Sequence, residues 1–166
     1  MGLVRGHPDE IVIPSELDPA AAAARLRVER ERLKDGVIDE LTELFAASGQ
    51  IRNASKFRKD FYARERRSTT ALGYGLAVPH VRSPQPRKLV LIFARSVDGV
   101  WFDAPDGKLV HFFFGVTIPE YEDQALYLEF YRWFSQAFRD APWLPEALLT
   151  AKDEHEIIAL LSGLRD

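Results

Sequence analysis

The reactive side chains of this sequence converge on one stretch, Thr69 to His80, TTALGYGLAVPH. An imidazole near its ordinary pKa is partly neutral at physiological pH and can act as a nucleophile. His80 follows a proline at the end of a short apolar run, Leu76-Ala77-Val78. Proline donates nothing to a sheet ladder, so the strand is expected to end at Pro79, with His80 opening a loop through VRSPQPR. Gly73 and Gly75 allow a sharp bend, and loop amides there can cradle an anion. Arg64, sixteen residues before the histidine, can neutralise phosphoryl oxygens bidentately. Thr70, ten residues before it, can hydrogen-bond the imidazole or a phosphoryl group. These types and spacings point to His80 as a nucleophile that carries a phosphoryl group, assisted by Arg64 and Thr70.

The other candidates are weaker. His7, His111 and His155 form no HxH or HExxH pair with each other or with His80, so no local metal site is indicated. His111 lies inside the apolar run VHFFF and reads as a strand or core residue. His155 falls among acids in the first turn of a C-terminal helix and reads as a surface residue. Gly73-Tyr74-Gly75 fits neither the GxGxxG nor the GxxxxGK[ST] pattern, so no nucleotide site is indicated. No metal or cofactor is expected.

The elements that must position His80 follow from periodicity. Asp18 and Pro19 read as a helix N-cap and first helical position. From Ala20 to Ser48 the apolar residues Leu26, Leu33, Val37, Leu41 and Leu44 make one helical stripe, which Gly36 could split and Gly49 should stop. The charged segment RVERERLK, residues 27–34, reads as a solvated face, or alternatively as an arm that meets a partner. A second helix is expected from Ala54 to about Arg64, with Phe57 and Phe61 inward. Strands follow at Leu76–Val78, Lys88–Ser96 and Val110–Ile118, with a turn at Asp103–Gly107. Residues 123–138 read as an amphipathic helix with an aromatic stripe, followed by two short helices. A further short strand is suggested by Ile11-Val12-Ile13. The expected fold is α/β, a mixed central β-sheet sandwiched by helices.

Bulk composition sets the outer bounds. The chain has 166 residues, 46% hydrophobic and 28% charged, which suits one globular domain. A net charge of −3, from 22 basic and 25 acidic residues, gives no electrostatic case for nucleic acid. There is no cysteine, hence no disulfide, thiolate metal site or cysteine nucleophile. No apolar run approaches the ~18 residues of a membrane span, and no signal core is evident. The expectation is a soluble cytoplasmic protein without membrane insertion.

At the His80 stretch the sequence resembles the enzyme IIA domain of the bacterial phosphoenolpyruvate-dependent sugar phosphotransferase system, fructose–mannitol type, including its nitrogen-regulatory branch. The family pattern RE, four residues, TG-[IV]G-x-G-[IV]A-[IV]PH appears here as Arg64-Glu65-Arg66-Arg67-Ser68-Thr69-Thr70-Ala71-Leu72-Gly73-Tyr74-Gly75-Leu76-Ala77-Val78-Pro79-His80. Phe102-Asp103-Ala104-Pro105-Asp106-Gly107 resembles the family's FDAxDG turn. The resemblance covers residues 34–166 as an enzyme IIA-like domain, and residues 1–33 would be an N-terminal strand and helical extension. It implies that His80 accepts a phosphoryl group from a histidine-containing phosphocarrier protein, with Arg64 and Thr70 assisting. The group would pass to an enzyme IIB domain, or the phosphorylation state would act on a regulatory target protein. No cofactor or metal would be needed.

Several positions depart from the family pattern. Ala71 replaces the glycine of TG, and Val81 stands where glycine usually follows the histidine, putting bulk next to the imidazole. A second histidine common in the family is missing near Gln124-Ala125-Leu126. Val81 and the missing second histidine motivate an alternative reading, a non-catalytic regulatory binding module that keeps the fold without phosphotransfer.

Overall fold

The structure is a computed structural model that describes residues 18–123 and 125–163. The strand suggested at Ile11–Ile13, together with His7 and Gln124, lies outside the described residues. The chain clusters into two compact units that meet at Glu122 and Asp123.

The first unit opens with α1, Pro19–Ala47. Asp18 caps it as expected, its carboxylate accepting from the amides of Ala20 and Ala21 at 2.9 and 3.1 Å. Gly36 does not split the helix. The roughly 1 kcal/mol it costs is outweighed by the good helix formers around it and by the packing of its neighbours Val37 and Ile38, both buried. Gly49, at φ 69°, supplies the left-handed stop after the helix. Helix α2, Ala54–Arg67, runs one turn beyond the expected end at Arg64. It is capped by Asn53, whose side chain accepts from the Lys56 amide at 2.9 Å. Phe57 and Phe61 are fully buried and meet Phe45 of α1 in edge contacts at 5.3 and 5.9 Å.

A five-stranded mixed sheet follows: β1 Ala71–Gly73, β2 Leu76–Ala77, β3 His80–Ser83, β4 Val90–Val100 and β5 Val110–Pro119. Strand β5 is central, and all its residues except His111 are buried. β4 pairs with it antiparallel, while β2 and β3 both pair with it in parallel. Helix α1 packs on α2 and β4, and α2 packs on β3.

The break at Pro79 is shorter than expected, because His80 opens a strand rather than a loop. Along β5 the register is unbroken: Leu76 lies opposite Phe112, Ala77 opposite Phe113, His80 opposite Val116 and Val81 opposite Thr117. Pro79 removes one donor from this line, yet its carbonyl still accepts from the Val116 amide at 2.9 Å. β5 therefore holds the chain extended on both sides of the proline. β4 also outruns its apolar sequence by four residues. It reaches Val100 through an irregularity between Arg95 and Val100, with Gly99 at φ 77°.

The second unit holds α3 Ala125–Asp140, α4 Leu144–Thr150 and α5 Glu154–Ser162. The aromatic stripe of α3 is formed, with Phe134 fully buried and its ring 4.7 Å from Phe138 and 5.8 Å from Phe130. Helix α4 packs on α5, and the Asp153 carboxylate caps α5, accepting from the Glu156 amide at 2.9 Å. His155 is exposed in the first turn of α5. Among the described residues no helix is long and apolar enough to cross a membrane.

Candidate phosphoryl site

Helix α2 and strand β3 bring Arg64 and His80 into direct contact. The Arg64 guanidinium donates to Nε2 of His80 from Nε at 3.2 Å and from Nη2 at 2.6 Å. Its third nitrogen, Nη1, donates to the Ser68 carbonyl at 3.1 Å, fixing the fork against the end of its own helix. On the other side of the ring, Nδ1 lies 3.0 Å from the Val78 carbonyl. A carbonyl only accepts, so Nδ1 carries the ring proton and Nε2 keeps its lone pair. Burial pushes the His80 pKa below its ordinary 6.5, and the Arg64 charge pushes the same way; the Val78 hydrogen bond and the Glu65 charge partly oppose them. The ring is thus held neutral in a single tautomer, with its nucleophilic nitrogen facing a guanidinium.

Thr70 is committed elsewhere. Its amide donates to Glu65 Oε1 at 2.9 Å and its hydroxyl to Glu65 Oε2 at 2.7 Å. A hydroxyl has one proton, so in this arrangement Thr70 has none to offer the imidazole. Its backbone does reach the site indirectly. The Thr70 carbonyl accepts from the Val78 amide at 2.9 Å, and Val78 in turn accepts from His80.

Two residues of this assembly carry no role in the sequence reading. Glu65 is 3% exposed and also takes an ion pair from Lys34 of α1 at 2.9 Å. Lys34 lies over the Phe102 ring at 5.1 Å and within 3.7 Å of the Asp103 carboxylate. A signal for Glu65 was available. It continues the stripe Phe57, Phe61, Glu65 at spacings of four, so a carboxylate falls on the buried face of α2.

One amide of the glycine bend is taken from inside the protein. The Tyr74 amide donates to Asp106 Oδ2 at 2.8 Å, and the Gly75 carbonyl accepts from His111 and Phe112 at 2.7 and 3.0 Å. Gly73, Tyr74 and Gly75 all have positive φ, at 86°, 56° and 74°, and form the turn between β1 and β2. The amides of Tyr74 and Lys108 hold the Asp106 carboxyl below its usual range. The FDAPDG turn therefore pins the hairpin that leads into His80. His111 is half-buried in β5 with Nδ1 3.1 Å from the Ser96 carbonyl, the strand role expected of it.

Val81 does not crowd the imidazole. It is 3% exposed within the hydrophobic core, because successive side chains of β3 take opposite faces. Among the described residues no group of acids and histidines could hold a metal ion.

The sequence is 31% identical over 86 residues to a fructose-specific EIIA component of Haloferax volcanii, covering 52% of this chain and 56% of that protein. It is 34% identical over 82 residues to a nitrogen regulatory protein of Bradyrhizobium diazoefficiens, covering 48% of this chain and 54% of that one. In both cases the chain spans about half the length of the relative. The crystal structure of the nitrogen regulatory protein IIA-Ntr from Neisseria meningitidis superposes with a TM-score of 0.69 at 29% identity, over 77% of this chain and 86% of that one. The family described as "Phosphoenolpyruvate-dependent sugar phosphotransferase system, EIIA 2" matches residues 27–163. With most of its length inside that match, this chain belongs to the EIIA 2 family of the phosphoenolpyruvate-dependent sugar phosphotransferase system.

Proposed function

We propose that this protein accepts a phosphoryl group on Nε2 of His80 from a histidine-containing phosphocarrier protein. The observation that carries this reading is the ring geometry: Nδ1 is engaged by Val78 while Nε2 faces Arg64 at 2.6 Å. The Nε2 lone pair attacks the phosphorus of the carrier's phosphohistidine. The carrier's N–P bond breaks, and its electron pair returns to the carrier's imidazole. No proton needs to move at His80, because Nδ1 already holds one. Arg64 leaves the ring nitrogen and neutralises the phosphoryl oxygens, stabilising charge as it passes between partners. Thr70 acts with Glu65 to hold the Val78 segment that orients the ring.

The phosphoryl group then passes to an enzyme IIB domain, or the phosphorylation state itself is read by a regulatory target, as the name of the Bradyrhizobium relative suggests. A cytoplasmic setting belongs to this reading, since the chain of donors begins at phosphoenolpyruvate. The test is a transfer assay with phosphoenolpyruvate, the general phosphotransferase enzyme and a phosphocarrier, followed by intact mass. A gain of one phosphoryl group, lost in His80→Ala, is the expected result. No gain beside a working EIIA control would move the assignment to a binding module.

A further inference from the structure

The first turns of α1, the end of α2 and the residues after β4 enclose an open groove of about 990 Å3. Its walls carry Arg27, Arg30 and Lys34 from α1, and Arg66 and Arg67 from α2. Two of these cations are neutralised, Lys34 by Glu65 at 2.9 Å and Arg66 by Asp35 at 3.3 Å. Arg27, Arg30 and Arg67 have no ion pair among the described residues, although Glu31 and Asp103 also line the groove.

Arg30 is held in a particular way. Its guanidinium lies over the Trp101 ring, 4.0 Å from the centroid, and its Nε is buried without a hydrogen-bond partner among the described residues. Stacking occupies the face of a guanidinium and leaves the donors along its edge in plane, the geometry that takes an oxyanion with two parallel hydrogen bonds. A side chain already immobilised by an aromatic ring loses little further entropy when it binds. The concavity also favours a small ligand, since the volume lies near the upper end of the usual range for small-molecule sites, roughly 300–1,000 Å3. Cations with no ion pair among the described residues stand on both walls, Arg27 and Arg30 on one and Arg67 on the other.

We propose that this groove binds a small polyanion, a metabolite carrying two phosphate or carboxylate groups, gripped by Arg30 on α1 and Arg67 on α2. The site stands independently of transfer chemistry at His80.

The test is calorimetric titration of the full chain at low ionic strength with two probes, inorganic pyrophosphate and succinate. One-site saturable binding of either probe is expected, and the probe that binds tells phosphate from carboxylate. Arg30→Gln and Arg67→Gln should each weaken it by about tenfold, the order expected for loss of a charge-assisted contact, while His80→Ala leaves it unchanged. Arg67 is exposed, so its substitution keeps the test valid if Arg30→Gln unfolds the protein. Failure of both probes to saturate by about 10 mM, an affinity too weak to serve a metabolite, would overturn the proposal. So would binding lost in His80→Ala but retained in Arg30→Gln, which would place the anion at the phosphoryl site. Binding of a hexaglutamate peptide but of neither probe would also overturn it and reassign the groove to a protein partner.

Discussion

Lys34 on α1 and Glu65 on α2 form an ion pair at 2.9 Å, with side chains 15% and 3% exposed. The same carboxylate takes both the amide and the hydroxyl of Thr70, so one buried charge ties two helices to the segment entering the sheet. Removing one member of such a pair leaves the other charge uncompensated. Glu65→Ala is expected to cost about 3 kcal/mol, and Lys34→Met nearly as much. Lys34→Met with Glu65→Ala should lose less than the sum of the two single changes, because neither charge is then stranded. Urea denaturation of the four proteins checks this, and additive losses would show that the pair is not coupled.

Arg64 and His80 act on one nitrogen, so their substitutions should separate chemistry from fold. Arg64→Ala is expected to slow phosphoryl transfer by about 10²- to 10³-fold, the usual loss when a preorganised charge donor is removed. It should also raise the His80 pKa, since the guanidinium is one of the influences lowering it. Rapid-quench transfer kinetics and the imidazole proton shifts measure the two effects. Transfer at the wild-type rate would remove Arg64 from the mechanism.

The lowered pKa of His80 fixes the sign of a pH effect. The ring should remain neutral as pH falls below 6.5, the point at which an ordinary histidine is half protonated. Acceptor activity should therefore persist below pH 6.5 and fade only as pH passes through the lower folded-state value. Stability follows the same linkage. The unfolded chain binds the proton first, so the contribution of a neutral His80 is fully present above pH 6.5 and is lost as pH drops. His80→Gln should flatten that slope. A folded-state pKa at or above 6.5, measured by NMR, would contradict the assigned environment.

Gly115 of β5 has no room for a side chain. A Cβ there would fall 2.6 Å from Ile92 Cγ1 and 2.9 Å from Phe45 Cζ. Gly115→Ala is expected to destabilise the protein by about 1–3 kcal/mol through overpacking, while leaving the His80–Arg64 contact in place. A thermal melt tests this, and an unchanged midpoint would mean that α1 yields freely from the sheet.

Much of this architecture is legible in the linear order of residues. The N-cap at Asp18, the Val37 and Leu41 part of the α1 stripe, the Phe57 and Phe61 face of α2 and the turn at Asp103–Gly107 rest on local rules of capping, periodicity and turn chemistry. The same is true of His80 and Arg64 as candidates, because their chemical types and spacing are carried in the chain itself. What needed the tertiary structure was each decision made by a distant partner. β5 holds His80 in a strand across Pro79, against the local preference for a loop. Asp106, 32 residues from Tyr74, takes the turn amide that locally looked free for an anion. Lys34, supplied by another helix, allows Glu65 to be buried and so draws the Thr70 hydroxyl away from the imidazole. Strand alternation sends Val81 into the core. Hydrogen bonds and ion pairs between residues far apart in sequence carry no local periodicity. The order of the residues therefore determined which groups could react, and only the packing of β5, α1 and α2 decided which of them meet.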